Sequence, residues 1–197
     1  MNKNLIIAIS GRLGSGKDLV AEIIKKRSNL EFKQTAFAKK LKEIVALLAS
    51  VPYETTLTQE GKNIYIKEYD KTIGEMLQLV GTNAMRDNFD KNVWINACML
   101  EMKNIPGNYV ITDCRFDNEA DAIKNAGGIV IRVNRPINPV AEASGRDLTH
   151  ASETGLDNYS GFDYIINNTG TLEDLYHQVD SVLSMIGILR TDTVNVN

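Results

Sequence analysis

A chain of 197 residues, 43% hydrophobic and 24% charged, has room for one sizeable core and the make-up of an ordinary globular protein. A formal net charge of −3 argues against a general nucleic-acid binder. The longest early apolar run, Leu5 to Ile9, is far shorter than the roughly 20 residues of a membrane span. It also lacks a signal-peptide cleavage region, so the expectation is a cytoplasmic protein without membrane partners.

Strand and helix patterns alternate along the chain. Residues 5–10 are mostly apolar, as in a strand covered on both faces. Leu19, Val20, Ile23 and Ile24 then make a helical stripe over residues 18–26. Residues 32–37 read as a second strand and 38–49 as a helix, whereas 50–70, with Pro52 and Gly61, read as an irregular excursion. Ile73, Met76, Leu77, Val80 and Ala84 fit the spacing of one long helix, and another is expected over 92–102. After the Pro106-Gly107-Asn108 turn, residues 109–112 read as a strand ending in Asp113. A helix over 118–125 stops at Gly127-Gly128. Residues 129–133 make a strand, 135–156 a polar irregular segment and 164–166 the last strand. Thr171 caps a helix reaching about residue 186, with Glu173 and Asp174 in its first turn, and 191–197 form a polar tail. The order implies an α/β three-layer sandwich with a central parallel sheet, in one domain over residues 1–190. Cys98 and Cys114 lack metal-ligand spacing and read as reduced cysteines.

The first strand-to-helix turn carries the most chemistry. Gly11-Arg12-Leu13-Gly14-Ser15-Gly16-Lys17-Asp18 fits the phosphate-binding pattern G-x-x-x-x-G-K-[ST] except at its last position. Glycines let successive backbone N–H groups curl around phosphate oxygens, and the helix that follows adds its positive end. Gly11, Gly14, Ser15, Gly16 and Lys17 are therefore candidate ATP-binding residues, with Lys17 reaching the β- and γ-phosphates. Where a hydroxyl normally meets Mg²⁺ stands Asp18, a hard anionic ligand that suits the ion directly or through water. This argues against the commoner P-loop GTPases and ATPases.

Asp113, at a strand's carboxyl end, is a second candidate for the metal site, or else a capping or turn aspartate. Arg115 follows it, Arg86 lies on the long helix, and Arg132, Arg135 and Arg146 lie in or beside the later irregular segment. Guanidinium groups at such places suit bidentate phosphate contacts. The only histidines are His150 and His177, and no nucleophile–base ordering or metal-spaced pair stands out. An acceptor that is itself a phosphomonoester needs no strong base, because its second pKa is about 6 and its attacking oxygen is already anionic at neutral pH. Positioning and charge neutralisation suffice for such a transfer.

Taken together, these blocks resemble the phage-type deoxynucleoside monophosphate kinases over about residues 4–185. The S-G-K-D ending, Ser15 to Asp18, is characteristic of that family. "FAKKLK" (37–42) resembles its F-A-x-P-L-K segment, with Lys40 in place of proline, and "LQLVGTNAMRDNFDKNVW" (77–94) its L-Q-x-x-G-T-x-x-x-R…W block. "ITDCRFDNEADAIKNAGGIVIRVNRP" (111–136) resembles the D-x-R-x-x-x-E segment and the strand ending in Arg-Pro, and "HASE" (150–153) the H-x-S/T-E element.

The resemblance implies a nucleoside monophosphate kinase-like fold, with an acceptor region at about 37–94 and a lid at about 135–156 that excludes water. It implies MgATP-dependent phosphorylation of a small nucleotide, with Lys17, Arg86, Arg115 and Asp113 catalytic and Asp18 with Asp113 at the metal. Lys42 and Arg86 are expected on the acceptor phosphate, Arg115 near the transferred group, and Gln78 at the base. Arg135, or else Arg132 or Arg146, completes a charge clamp on ATP, and His150 anchors the lid. A homodimer and a host-cytoplasm location for a phage protein also fit the resemblance. The competing readings are a P-loop kinase for another small phosphate-bearing metabolite, such as phosphomevalonate, and an inactive nucleotide-binding regulator.

Overall fold

Every residue of β1 (Ile6–Ser10) is buried, as expected of a strand with neighbours on both edges and helices on both faces. In the computed structural model, which describes residues 4–136 and 151–191, β1 is the central strand of a five-stranded sheet. It pairs in parallel with β5 (Asn108–Cys114) on one side and β6 (Ile129–Asn134) on the other. β2 (Phe32–Thr35) adds to β5 and β7 (Tyr164–Asn167) to β6, both parallel. β2 is an edge, and it exposes Lys33 and Gln34.

Ile7 and Ile9 pack with Val20 and Ile24 of α1 (Lys17–Arg27) and with Leu175 and Val179 of α8 (Leu172–Met185). By the two-residue alternation of a strand, Ile6 and Ala8 face the other side, where α6 (Asp117–Asn125) packs against β1 and β6. The layers of a parallel α/β sandwich are thus present. Thr171 caps α8 in a full capping box with Asp174, and Gly127, at φ 76°, follows α6 where the sequence predicts its stop.

Sequence and structure differ in detail at several boundaries. The second strand ends at Thr35 rather than running to residue 37. β5 extends to Cys114, so Asp113 lies inside it. The β1–β5 register passes from Ala8↔Ile111 to Ser10↔Cys114, which places one extra residue in β5 beside Asp113. Part of the 135–156 segment is regular, because residues Ala151–Thr154 form the short helix α7. The expected lid lies largely outside the described residues.

The sheet, α1, α6, α7 and α8 belong to one compact unit, Met1–Thr35 with Pro106–Asn197; Ala36–Ile105 forms a second. The second unit starts with α2 (Lys39–Ala49) and then a 3₁₀ turn, Tyr53–Thr56. There follow α3 (Gln59–Lys62), a two-stranded hairpin of β3 (Tyr65–Ile66) and β4 (Lys71–Thr72), and α4 (Ile73–Gln78). α5 (Val93–Asn104) closes it. One cluster of its buried side chains is Val45, Ile73 and Met76, with Leu41, Val51, Leu77 and Val80 packed against them, and it also buries Phe37, Trp94, Ile95, Cys98 and Met102. The 50–70 excursion is therefore a chain of short regular pieces.

The predicted long helix over 73–84 is two helices in succession. α4 starts with a Thr72–Glu75 capping box, but from Leu79 to Arg86 the winding is π. A wider turn shows up in the bond from the Asp87 N–H to the Thr82 carbonyl, five residues back, at 2.9 Å. Ala84, assigned to an apolar stripe by its spacing, is exposed.

Candidate active site

The carboxyl ends of β1, β5, β6 and β7 bring the site of the first unit together, as the strand order of an open parallel sheet leads one to expect. From Ser10 the chain turns through the glycine-rich segment into α1. Gly14 and Gly16 sit at φ 72° and 98°, conformations that side-chain-bearing residues rarely adopt. A Cβ on Gly11 would lie 2.4 Å from Ser15 Oγ and 2.6 Å from the Val133 carbonyl. Asn168, just beyond β7, donates from Nδ2 to the Ser15 carbonyl at 2.9 Å and closes the loop from the other side. The N–H groups of the first turn of α1 have no helical acceptor. Ser15 Oγ is buried and has no hydrogen-bond partner among the described residues. These features fit a polyphosphate, whose oxygens suit buried donors.

Lys17 opens α1, is 9% exposed and donates from Nζ to the Arg12 carbonyl at 2.9 Å. Burial pushes its ammonium down, aided by the charges of Arg115 and Arg132 and opposed by Glu153 and Asp18, to about 8.

Two carboxylates bind the surrounding arginines. Glu153, buried in α7, accepts the Leu13 N–H on Oε2 at 2.7 Å and Arg115 Nη1 on Oε1 at 2.7 Å. Burial pushes this carboxyl up, but Arg115, the Leu13 N–H and Lys17 together hold it below the ordinary range. Asp157 accepts from Arg12 on one oxygen and, at 2.7 Å, from Arg132 on the other. It too stays below the ordinary range, because Arg12 and Arg132 outweigh its burial. Arg132 also donates to Ser10 Oγ at 3.2 Å and lies 5.7 Å from the centre of the Phe162 ring. Arg135 reaches the Gly14 carbonyl at 3.5 Å. Beside these arginines is a cleft of about 390 Å³, lined by Arg12, Arg132, Asn134, Arg135, Pro136 and Thr169 among others.

Asp18 is exposed in the first turn of α1, and Asp113 is half-buried at the irregular end of β5. Among the described residues no group of three or more acidic, His or Cys side chains is placed to hold a metal ion.

In the second unit, Lys42 is half-buried in α2, Arg86 is half-buried at the end of the π segment, and Gln78 is exposed at the end of α4. Arg146 and His150 lie outside the described residues.

Arg12, Glu153, Asp157 and Asn168 join the loop and its arginines without being candidates on the sequence alone. Glu153 lies within the recognised "HASE" element, and Asn168 within the polar Asn167-Asn168-Thr169-Gly170 run after a strand, which is a signal for a ligand-facing loop. Arg12 occupies a variable position of the loop pattern and Asp157 an undistinguished polar stretch, so neither carried a local signal.

A glycine cradle after the first strand of a parallel sheet, opening a helix with a buried lysine, is the arrangement characteristic of the P-loop fold. The chain has the fold of a sugar kinase of Janibacter, on which it superposes with a TM-score of 0.50 at 13% identity, covering 94% of this chain and 95% of that one. A family model of deoxynucleotide monophosphate kinases matches residues 48–179. A protein of Acanthamoeba polyphaga mimivirus, which carries that name provisionally, is 34% identical over 191 residues, covering 90% of this chain and 95% of its own. The deoxynucleotide monophosphate kinase of Enterobacteria phage T4 is 29% identical over 119 residues, covering 58% of this chain but 46% of the phage protein. The chain belongs to the deoxynucleotide monophosphate kinase family. Among the described residues no helix is long and apolar enough to cross a membrane.

Proposed function

We propose that this chain transfers the γ-phosphate of ATP to a deoxynucleoside monophosphate, giving ADP and the deoxynucleoside diphosphate, with Mg²⁺ as the metal. The observation that carries the reading is the glycine cradle after β1, with its buried Lys17, its orphaned Ser15 hydroxyl and its four nearby arginines. Membership of the family supports the choice of acceptor.

In this reading the loop N–H groups and Lys17 hold the β- and γ-phosphates, and the cleft beside Arg132 and Arg135 takes the nucleoside end of ATP. Arg115, fixed by Glu153, offers charge to the transferring group. Asp18 and Asp113 would hold Mg²⁺, directly or through water. When bound, the ion neutralises charge on the polyphosphate and helps to align it. Lys42 and Arg86 bind the acceptor phosphate, and Gln78 contributes to recognition of the base. A dNMP oxygen is already anionic at neutral pH, so it attacks the γ-phosphorus as the bond to the β-bridging oxygen breaks. No protein base has to take a proton.

Coupled ADP release with MgATP tests this against dAMP, dGMP, dCMP, dTMP and the matching ribonucleotides. Turnover with one or more deoxynucleotides is expected. ATP binding without turnover on any member of the panel would contradict the proposed acceptor class.

A further inference from the structure

In the recognised Gly-Thr…Arg…Trp block, Gly81 and Trp94 have no place yet in the reaction, although both are buried. The indole Nε1–H of Trp94, at the start of α5, donates to the Gly81 carbonyl at 2.9 Å. That carbonyl belongs to the π segment, Leu79–Arg86. A Cβ on Gly81 would come within 2.7 Å of Leu41 Cδ2, so α2 lies directly against this turn. Leu41 is the residue before Lys42, and Arg86 ends the segment.

π winding is rarer than α winding and is frequently found at functional sites. Its geometric effect is definite: one inserted residue rotates everything downstream by about 100° relative to an unbroken α-helix. The indole bond falls within the segment, and the lack of a side chain at Gly81 permits the close approach of α2. Downstream, the Asp90 carboxylate accepts the Asn92 N–H at 2.8 Å and Asn96 Nδ2 at 3.0 Å, which turns the chain into α5 and brings Trp94 back to the π segment. Leu41 thus packs against this turn at Gly81, and the Trp94 indole bonds to the carbonyl of the same residue.

We infer that Trp94 is a positioning residue: by holding the Gly81 carbonyl it maintains the π winding that presents Arg86, in register with Lys42 of α2, to the phosphate of the acceptor. The inference rests on the reading of Arg86 as an acceptor-phosphate ligand. It assigns the indole N–H a role in acceptor recognition that a purely space-filling tryptophan does not have.

A double-mutant cycle on the full chain tests it, with KM for the dNMP and for ATP as readouts. Trp94→Phe keeps an aromatic ring in the core and removes the donor. It should raise the acceptor KM by about tenfold and leave the ATP KM within about twofold. In the Arg86→Ala background the same change should alter the acceptor KM by less than about twofold, because its target is already gone. Additive effects of the two substitutions, or an unchanged acceptor KM in Trp94→Phe, would overturn the inference. If Arg86→Ala itself leaves the acceptor KM unchanged, the reading of Arg86 fails first and takes the inference with it. Should Trp94→Phe fold poorly, replacing the indole by a benzothiophene keeps its size and shape and removes only the N–H. A normal acceptor KM in that protein would likewise overturn the inference.

Discussion

The two units of this chain reach their chemistry by different routes. The first is a parallel sheet with a continuous core of buried Ile and Val. Its candidate phosphate cradle is one short stretch, residues 11–17, that the strand before it and the helix after it hold by local geometry. The second buries Val45, Ile73 and Met76 together with Phe37, Trp94 and Ile95 on a succession of short elements, and it exposes Leu47, Leu57, Tyr65 and Phe89. Its candidate ligands, Lys42 and Arg86, sit on separate elements, and their placement depends on the packing of α2 against a π turn. A contiguous cradle is set by backbone conformation, whereas a dispersed one is set by side-chain contacts distant in sequence. Damage to the first should therefore appear as loss of catalysis, and damage to the second as loss of acceptor affinity.

The largest break in that contrast is Lys17→Ala, expected to lower kcat by about 10³-fold while thermal unfolding stays nearly unchanged. A near-normal kcat would remove Lys17 from the phosphate site. Arg86→Ala should instead raise the acceptor KM by about 30-fold, with the ATP KM little altered. An equal rise in both constants would erase the distinction between the units.

Glu153→Gln sharpens the picture of the first unit. Steady-state kinetics should show kcat/KM for ATP lower by about tenfold, because the buried partner that holds Arg115 and the Leu13 N–H loses its charge. The Glu153 carboxyl is held below its ordinary value of 4.5, so its contribution to stability is present above that pH and is lost as the pH falls through the lower folded value. Acid unfolding of the glutamine variant should accordingly be shallower in that range. An unchanged acid limb would mean that Glu153 is not the titrating group.

A reversible version of the Lys17 change comes from pH. Burial pushes the ammonium down to about 8 from 10.5, and in the proposed reaction its charged form is the one that holds phosphate. In the free enzyme, kcat/KM for ATP should therefore fall above pH 8, by about tenfold per unit. Bound phosphates favour the charged form, so kcat should hold to higher pH. Smallest of all is Asp18→Ser, expected to change kcat within about fivefold, as one metal-compatible oxygen replaces another. A loss as large as that of Lys17→Ala would show that the carboxylate itself is required.

Much of the first unit was legible in the sequence, because its signals are local. The strand–glycine loop–helix order, the Thr171 cap and the stop at Gly127 all rest on residues within a few positions of each other. The site's arginine ring was legible only in part. Arg115 and Arg132 stand next to strand ends, but the carboxylates that hold them, Glu153 and Asp157, come from a segment 25 or more residues away. The π turn was not legible at all. The spacing of Ile73, Met76, Leu77 and Val80 is genuine α periodicity, and nothing near Leu79 announces that the winding changes. What holds the change is the Trp94 indole, 13 residues on from Gly81, and the Leu41 side chain on another helix.

The most direct test of the account follows the phosphate itself. ATP labelled at the γ-phosphate is incubated with Mg²⁺ and the preferred dNMP, for the unmodified chain and for Lys17→Ala. The label is expected in the β-phosphate of the deoxynucleoside diphosphate with the unmodified chain, and to remain in ATP with the variant. Label released as inorganic phosphate, or transferred equally well by Lys17→Ala, would contradict a P-loop kinase that uses a nucleotide phosphate as its acceptor.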